Sequence, residues 1–151
     1  MSFTFVNCSA AAEQDEDFSD KLAKIQARYN EIINGLGLTL SLDTQFEEIA
    51  SKFVAKAGKE YAASRGEYLN GIIMANYLGY EFIDAAEVIR FNHDGSFNAA
   101  VTNKIMSKRL EKVERAVIPG FFGAEEDGTI RTFSRGLDII LFVTAALKEP
   151  S

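Results

Sequence analysis

With 151 residues, 47% hydrophobic and 25% charged, the chain can bury one proper core and has the balance of a globular domain, which excludes global disorder. A net charge of −6 repels phosphate backbones, so nucleic acid is not an expected partner. The single cysteine, Cys8, excludes an internal disulfide and a cysteine-built zinc site, and the single histidine, His93, is the sole candidate for histidine chemistry.

The first residues, Met1-Ser2-Phe3-Thr4-Phe5-Val6, lack the basic leader and apolar run of a signal peptide. The apolar stretch 139–147 is far shorter than the ~20 residues a bilayer crossing takes. A cytoplasmic protein with no membrane partner is expected. Residues 2–6 alternate loosely and predict a short strand, and the small, acidic stretch 10–20 predicts a solvated linker. Residues 1–17 are therefore set apart as an N-terminal strand and linker.

An amphipathic helix is predicted from about Asp20, with Leu22, Ile25, Tyr29, Ile32 and Ile33 on one face, stopped by Gly35 and Gly37. A second begins near Asp43, buries Phe46, Ile49, Ala50 and Phe53, and ends at Gly58. A third is predicted to open at Ser64-Arg65-Gly66-Glu67, with Leu69, Ile72, Ile73 and Tyr77 inward and Gly79 closing it. Serine followed three places later by glutamate is the pattern of a capping box, which satisfies free amides at a helix start. The same spacing also presents Glu67 as a fixed carboxylate.

Short strands are predicted at 81–85 and 88–91, then a turn at Asn92-His93-Asp94-Gly95, where His93 reads as a solvated loop residue. A helix comes next through Val101, Ile105, Met106 and Leu110, with Lys104, Lys108, Arg109 and Lys112 exposed. The run 115–119 is apolar enough for a strand buried on both faces, as in a parallel sheet. Glu125-Glu126-Asp127-Gly128 predicts a hairpin turn, with a return strand at 129–133 that delivers Arg135 into a glycine turn. The chain then finishes as a helix over 137–147, before a tail at 148–151. Helices alternating with short apolar strands argue for an α/β layered domain. One fixed carboxylate and one fixed guanidinium beside backbone loops suit a small zwitterion such as an amino acid.

Three blocks resemble one family. They are Ser64-Arg65-Gly66-Glu67-Tyr68-Leu69-Asn70 with Ala75-Asn76-Tyr77-Leu78-Gly79-Tyr80-Glu81-Phe82-Ile83-Asp84-Ala85, then Val117-Ile118-Pro119-Gly120-Phe121-Phe122-Gly123-Ala124, then Asp127-Gly128-Thr129-Ile130-Arg131-Thr132-Phe133-Ser134-Arg135-Gly136. In this order they are similar to aspartate kinase, over roughly residues 60–136 and more weakly over 18–58. The resemblance implies, over 18–147, a partial amino acid kinase catalytic domain: an incomplete three-layer α/β fold with a mainly parallel central sheet. It implies ATP-dependent phosphorylation of the side-chain carboxylate of L-aspartate, with ATP and Mg2+ as cofactors. Glu67 and Arg135 fall on the family's aspartate-holding residues, Phe121 on its substrate-lining loop, and Asp138 on its catalytic aspartate. No cofactor-binding residue and no metal ligand is assigned.

The resemblance departs from the family at three places, one being that the family continues into a nucleotide-binding half and regulatory domains where this sequence stops. Nothing in residues 1–20 matches the Lys-Phe-Gly-Gly-Ser phosphate loop, and Arg135-Gly136-Leu137-Asp138 is one residue short of the family's Arg-Gly-Gly-Ser-Asp. One missing residue at a helix start turns the remainder of the helix by about 100°. The expectation is therefore an aspartate kinase segment with little activity alone; the alternative is a non-catalytic aspartate-binding or subunit-interaction module. Homo-oligomers, or association through exposed sheet edges, are expected with either.

Overall fold

The computed structural model describes residues 2–134, with side chains from residue 4 onward. The chain divides into two compact units, Met1–Ile73 and Met74–Ser151. Among the described residues no helix is long and apolar enough to cross a membrane.

The first unit is helical from its start. Phe5, Cys8, Ser9 and Ala12 are all buried and recur at helical spacing. Their segment closes as α1 (Ser2–Glu13), not as the predicted strand and linker. Small side chains explain the correction: Cys8, Ser9 and Ala12 give little apolar signal, yet they let a helix approach its neighbours closely. Helix α1 packs on α2 (Ser19–Gly35) and α3 (Asp43–Val54), and only residues 14–18 remain as a connector. Burial pushes the Cys8 thiol above its ordinary pKa, with Lys21 opposing the shift.

The predicted faces of α2 and α3 hold, with Leu22, Ile25, Tyr29 and Ile33 buried on one and Phe46, Ile49 and Phe53 on the other. Aromatic rings pack in two groups: Phe5–Phe46 centroids lie 6.3 Å apart and Tyr29–Phe46 5.9 Å in one, and Phe53–Tyr61 6.2 Å in the other. Each such pair contributes roughly 0.5–1.5 kcal/mol beyond its buried area.

Gly58 was expected to end α3 and instead introduces the next helix. The chain leaves α3 at Val54, and Gly58 takes φ +90°, where an L side chain is strained, while its carbonyl accepts from the amide of Ala62 at 3.2 Å. Helix α4 then runs Lys59–Leu78, five residues earlier than the serine-glutamate pattern predicts, and Gly79 closes it as expected. In its last turn Tyr77 is exposed, not inward.

In the second unit, β1 (Glu81–Phe82) pairs in parallel with β2 (Ala116–Val117), Glu81 opposite Ala116 and Phe82 opposite Val117. The buried strand predicted at 115–119 is thus present and parallel. The strand predicted at 88–91 is not formed as such: a short helix, α5 (Ala85–Val88), runs up to its first residue, started by the Asp84 carboxylate, which accepts from the amide of Ala86 at 3.0 Å. Beyond it there are only single bridges, Arg90 to Ala124 and Phe91 to Phe97. Helix α6 (Ala99–Leu110) is capped by Asn98, whose side chain accepts from the Val101 amide at 3.0 Å. Of its predicted exposed basic residues, Arg109 is paired with Glu81.

The predicted hairpin is formed by β3 (Phe122–Ala124) and β4 (Ile130–Thr132), antiparallel, with Glu125 to Gly128 as its turn. The described residues thus form a mixed α/β structure with one parallel and one antiparallel strand pair.

Candidate functional site

Glu67 stands in the middle of α4, half-buried, with Ser64, Arg65 and Gly66 buried just before it. The capping box predicted for Ser64 and Glu67 does not form. Because the helix already runs from Lys59, the amides around Ser64 lie inside it and need no side-chain cap. The Ser64 hydroxyl instead donates to the Tyr61 carbonyl at 2.6 Å and accepts from Arg65 through Nε at 3.0 Å and Nη2 at 2.9 Å.

Arg65 is a buried cation on a helix, and aromatic faces compensate for its lost hydration. Its guanidinium carbon lies 4.4 Å from the Tyr61 ring centroid and 4.3 Å from that of Tyr68. Such stacking contributes about 2 kcal/mol when desolvated. Burial pushes the Tyr61 phenol up to about 12, against the opposing charge of Arg65. Across the core, the hydroxyl of the fully buried Tyr29 donates to the Gly66 carbonyl at 3.4 Å. Burial raises the Tyr29 phenol, and the nearby Glu67 carboxylate raises it further. The segment carrying Glu67 is therefore held from two sides, by Tyr29 and by the Ser64–Arg65 cluster.

Phe121 belongs to the second unit, in the loop between β2 and β3. Ile118, Pro119 and Gly120 are buried, and Phe121 is half-buried with φ +76°. An L-residue in that region costs roughly 1–2 kcal/mol. The strain is sustained because the Phe121 carbonyl accepts from the Phe133 amide at 2.8 Å, extending the β3–β4 ladder. Close by, Gly123 meets Ile89 so tightly that a Cβ there would sit 2.6 Å from the Ile89 carbonyl oxygen. Phe121 is thus fixed on a rigid hairpin. Arg135 and Asp138, and the helix predicted at 137–147, lie outside the described residues.

His93 is the solvated turn residue expected, with one partner that the sequence does not signal. It is exposed, yet its Nδ1 lies 2.8 Å from Oε2 of Glu125, a buried carboxylate that also accepts from Arg131. An exposed turn histidine carries no sequence signal for a partner 32 positions away. Beside this pair is a cavity of about 580 Å3 lined in part by Phe91, Val101, Ile105 and Asp127. Among the described residues there is no group of three or more His, Cys, Asp or Glu side chains that could hold a metal ion.

These elements define a mixed α/β protein in which a parallel strand pair leads through a glycine-bounded loop into a rigid hairpin. No protein-family model matches the sequence, and no curated protein matches it. Solved structures do. The aspartate kinase of Clostridium acetobutylicum is 38% identical with a TM-score of 0.85, over 90% of this chain and 31% of its own. Aspartokinase III of Escherichia coli has the same fold at 20% identity over 87% of this chain and 35% of its own. Its TM-score is 0.68 for the complex with aspartate and ADP and 0.60 for the complex with lysine and aspartate. The chain is similar to a segment of aspartate kinase and spans about a third of the length of the kinases it matches.

Proposed function

We propose that this chain forms the aspartate-holding part of an aspartate kinase catalytic domain. The complete enzyme would use ATP and Mg2+ to phosphorylate the side-chain carboxylate of L-aspartate, giving 4-phospho-L-aspartate for lysine, threonine and methionine biosynthesis. The observation that carries this reading is the 38% identity to a solved aspartate kinase over 90% of the chain. The finer architecture proposed with it is the incomplete three-layer fold with a mainly parallel central sheet.

In this reading Glu67 accepts from the substrate ammonium, Arg135 grips a carboxylate through its planar pair of donors, and Phe121 lines the pocket wall. The reacting carboxylate of aspartate is ionised at neutral pH and needs no strong base. The protein's own share is positioning and charge neutralisation, the usual work in phosphoryl transfer. Asp138, on the segment after Arg135, is the candidate catalytic carboxylate.

The isolated chain is expected to turn over little. Its net charge of −6 disfavours a nucleotide, and residues 1–20 carry no match to the family's lysine loop. The same two observations favour a second reading, a non-catalytic module that binds aspartate or pairs with another kinase subunit through sheet edges.

Calorimetric titration with L-aspartate, beside a coupled assay with aspartate, ATP and Mg2+, tests both. Binding that Glu67→Gln abolishes supports the aspartate site, and binding without turnover favours the module. Absence of binding would defeat both aspartate readings.

A further inference from the structure

Helix α6 is held by few of its residues. Only Thr102 of this helix is buried, and its hydroxyl accepts from the Arg90 amide at 2.9 Å, fixing α6 to the chain beyond α5. Val101, Lys104, Ile105 and Lys108 recur at helical spacing, so they share one face. On that face Val101 is 40% exposed, Ile105 is half-buried and both lysines are exposed. Phe97, just before the helix, is 45% exposed. Val101 and Ile105 also line the cavity of about 580 Å3, together with Glu126 and Asp127 of the hairpin turn, both exposed. The Asp127 carboxylate is fixed there by accepting from the Thr129 amide at 2.9 Å. A basic, partly apolar helix face thus borders an acidic, partly apolar cleft on one molecule. Such a surface complements a second copy of itself turned through a two-fold axis. With a net charge of −6, two copies repel in most orientations and attract where the lysines of one meet the carboxylates of the other.

We infer that this face is a two-fold interface between copies of the chain. The two α6 helices lie antiparallel, with the axis at Ile105. At a rise of about 1.5 Å per residue, Lys108 then stands about 4.5 Å past the axis, level with Thr102 of the other copy and beside its cleft. Lys108 of each copy meets Glu126 and Asp127 of the other, while Phe97, Val101 and Ile105 lose their exposure. The pairing needs neither an aspartate site nor a sheet edge.

The test is sedimentation equilibrium of the full chain. Wild type should dimerise at concentrations on the order of 100 μM, and less tightly in about 0.5 M salt. Lys108→Glu and Glu126→Lys should each raise the dissociation constant about tenfold, since each turns two symmetry-related attractions into repulsions. The double variant should recover most of the affinity. Because Glu126→Lys makes the chain less acidic, general charge repulsion alone would predict tighter association for it. A second measurement holds even if one of these variants fails to fold. Ile105→Cys, on the axis, should form an intermolecular disulfide under mild oxidation, whereas Lys24→Cys on the exposed face of α2 should not; the native Cys8 is buried and does not compete. A chain monomeric throughout, a dimer indifferent to both charge reversals, or Ile105→Cys cross-linking no faster than Lys24→Cys would overturn the inference.

Discussion

The imidazole Nδ1 of His93 lies 2.8 Å from Oε2 of Glu125, joining a side chain 97% exposed to one only 4% exposed. The contact ties the turn after Phe91 to the hairpin turn beyond β3. Arg131 meets the other oxygen of the same carboxylate from β4. The two turns are therefore braced through a single glutamate.

That brace sets an acid limit. The hydrogen bond from His93, then that from Arg131, holds the Glu125 carboxyl below the usual carboxylate range. A folded-state pKa below the unfolded value, about 4.3 for glutamate, gives stability fully present above that value and lost as pH falls through the folded one. Asp94, through the Ser96 hydroxyl, and Asp127, through the Thr129 amide, shift in the same direction. Thermal denaturation should show Tm falling below about pH 5. Glu125→Gln should lower Tm at neutral pH and flatten the acid dependence. A variant as acid-sensitive as wild type would contradict the brace.

Gly123→Ala should destabilise the chain by about 1–3 kcal/mol. The added methyl would meet Ile89 at 2.5 Å from Cγ2 and 2.6 Å from the carbonyl oxygen. Because one obstacle is backbone, adding Ile89→Ala should not restore stability. Urea denaturation of the single and double variants checks both statements.

Tyr61→Phe is expected to be neutral or stabilising by roughly 1 kcal/mol. The Tyr61 hydroxyl is buried and has no hydrogen-bond partner among the described residues, whereas its ring covers Arg65. Phenylalanine keeps the ring and removes the orphaned oxygen. A loss above about 1 kcal/mol in denaturant unfolding would mean the hydroxyl has a partner.

Phe121→Gly separates strain from function. Relief of the positive φ is worth roughly 1–2 kcal/mol, offset by the added chain entropy of glycine, so stability should change little. If the ring lines the aspartate pocket, affinity for aspartate should nevertheless fall severalfold. Equal affinities by calorimetry would remove Phe121 from the site.

Large apolar side chains made much of this fold legible in the sequence. The stripes of α2 and α3, the buried parallel strand at Ala116 and the acidic hairpin turn all come from period and turn chemistry. Where small or ambiguous residues carry the packing, the pattern fails. Helix α1 turns its cysteine, serine and alanines to the core, which looked like a linker. Gly58 has the same identity whether it stops a helix or precedes one, and here it precedes. Ser64 has the spacing of a cap but lies a turn and a half inside α4. Of the proposed site, Glu67 and Phe121 are legible through their motifs, whereas the hydrogen bond from Tyr29 to the Gly66 carbonyl carries no sequence signal.

The proposed function assigns aspartate binding to Glu67, Phe121 and Arg135. Amide and side-chain NMR shifts of the full chain during titration with L-aspartate, with L-alanine as control, test it most directly. The account predicts saturable shifts at all three residues with one common dissociation constant, absent with alanine and lost in Glu67→Gln. Shifts confined to one of them, or equal responses to both amino acids, would contradict it.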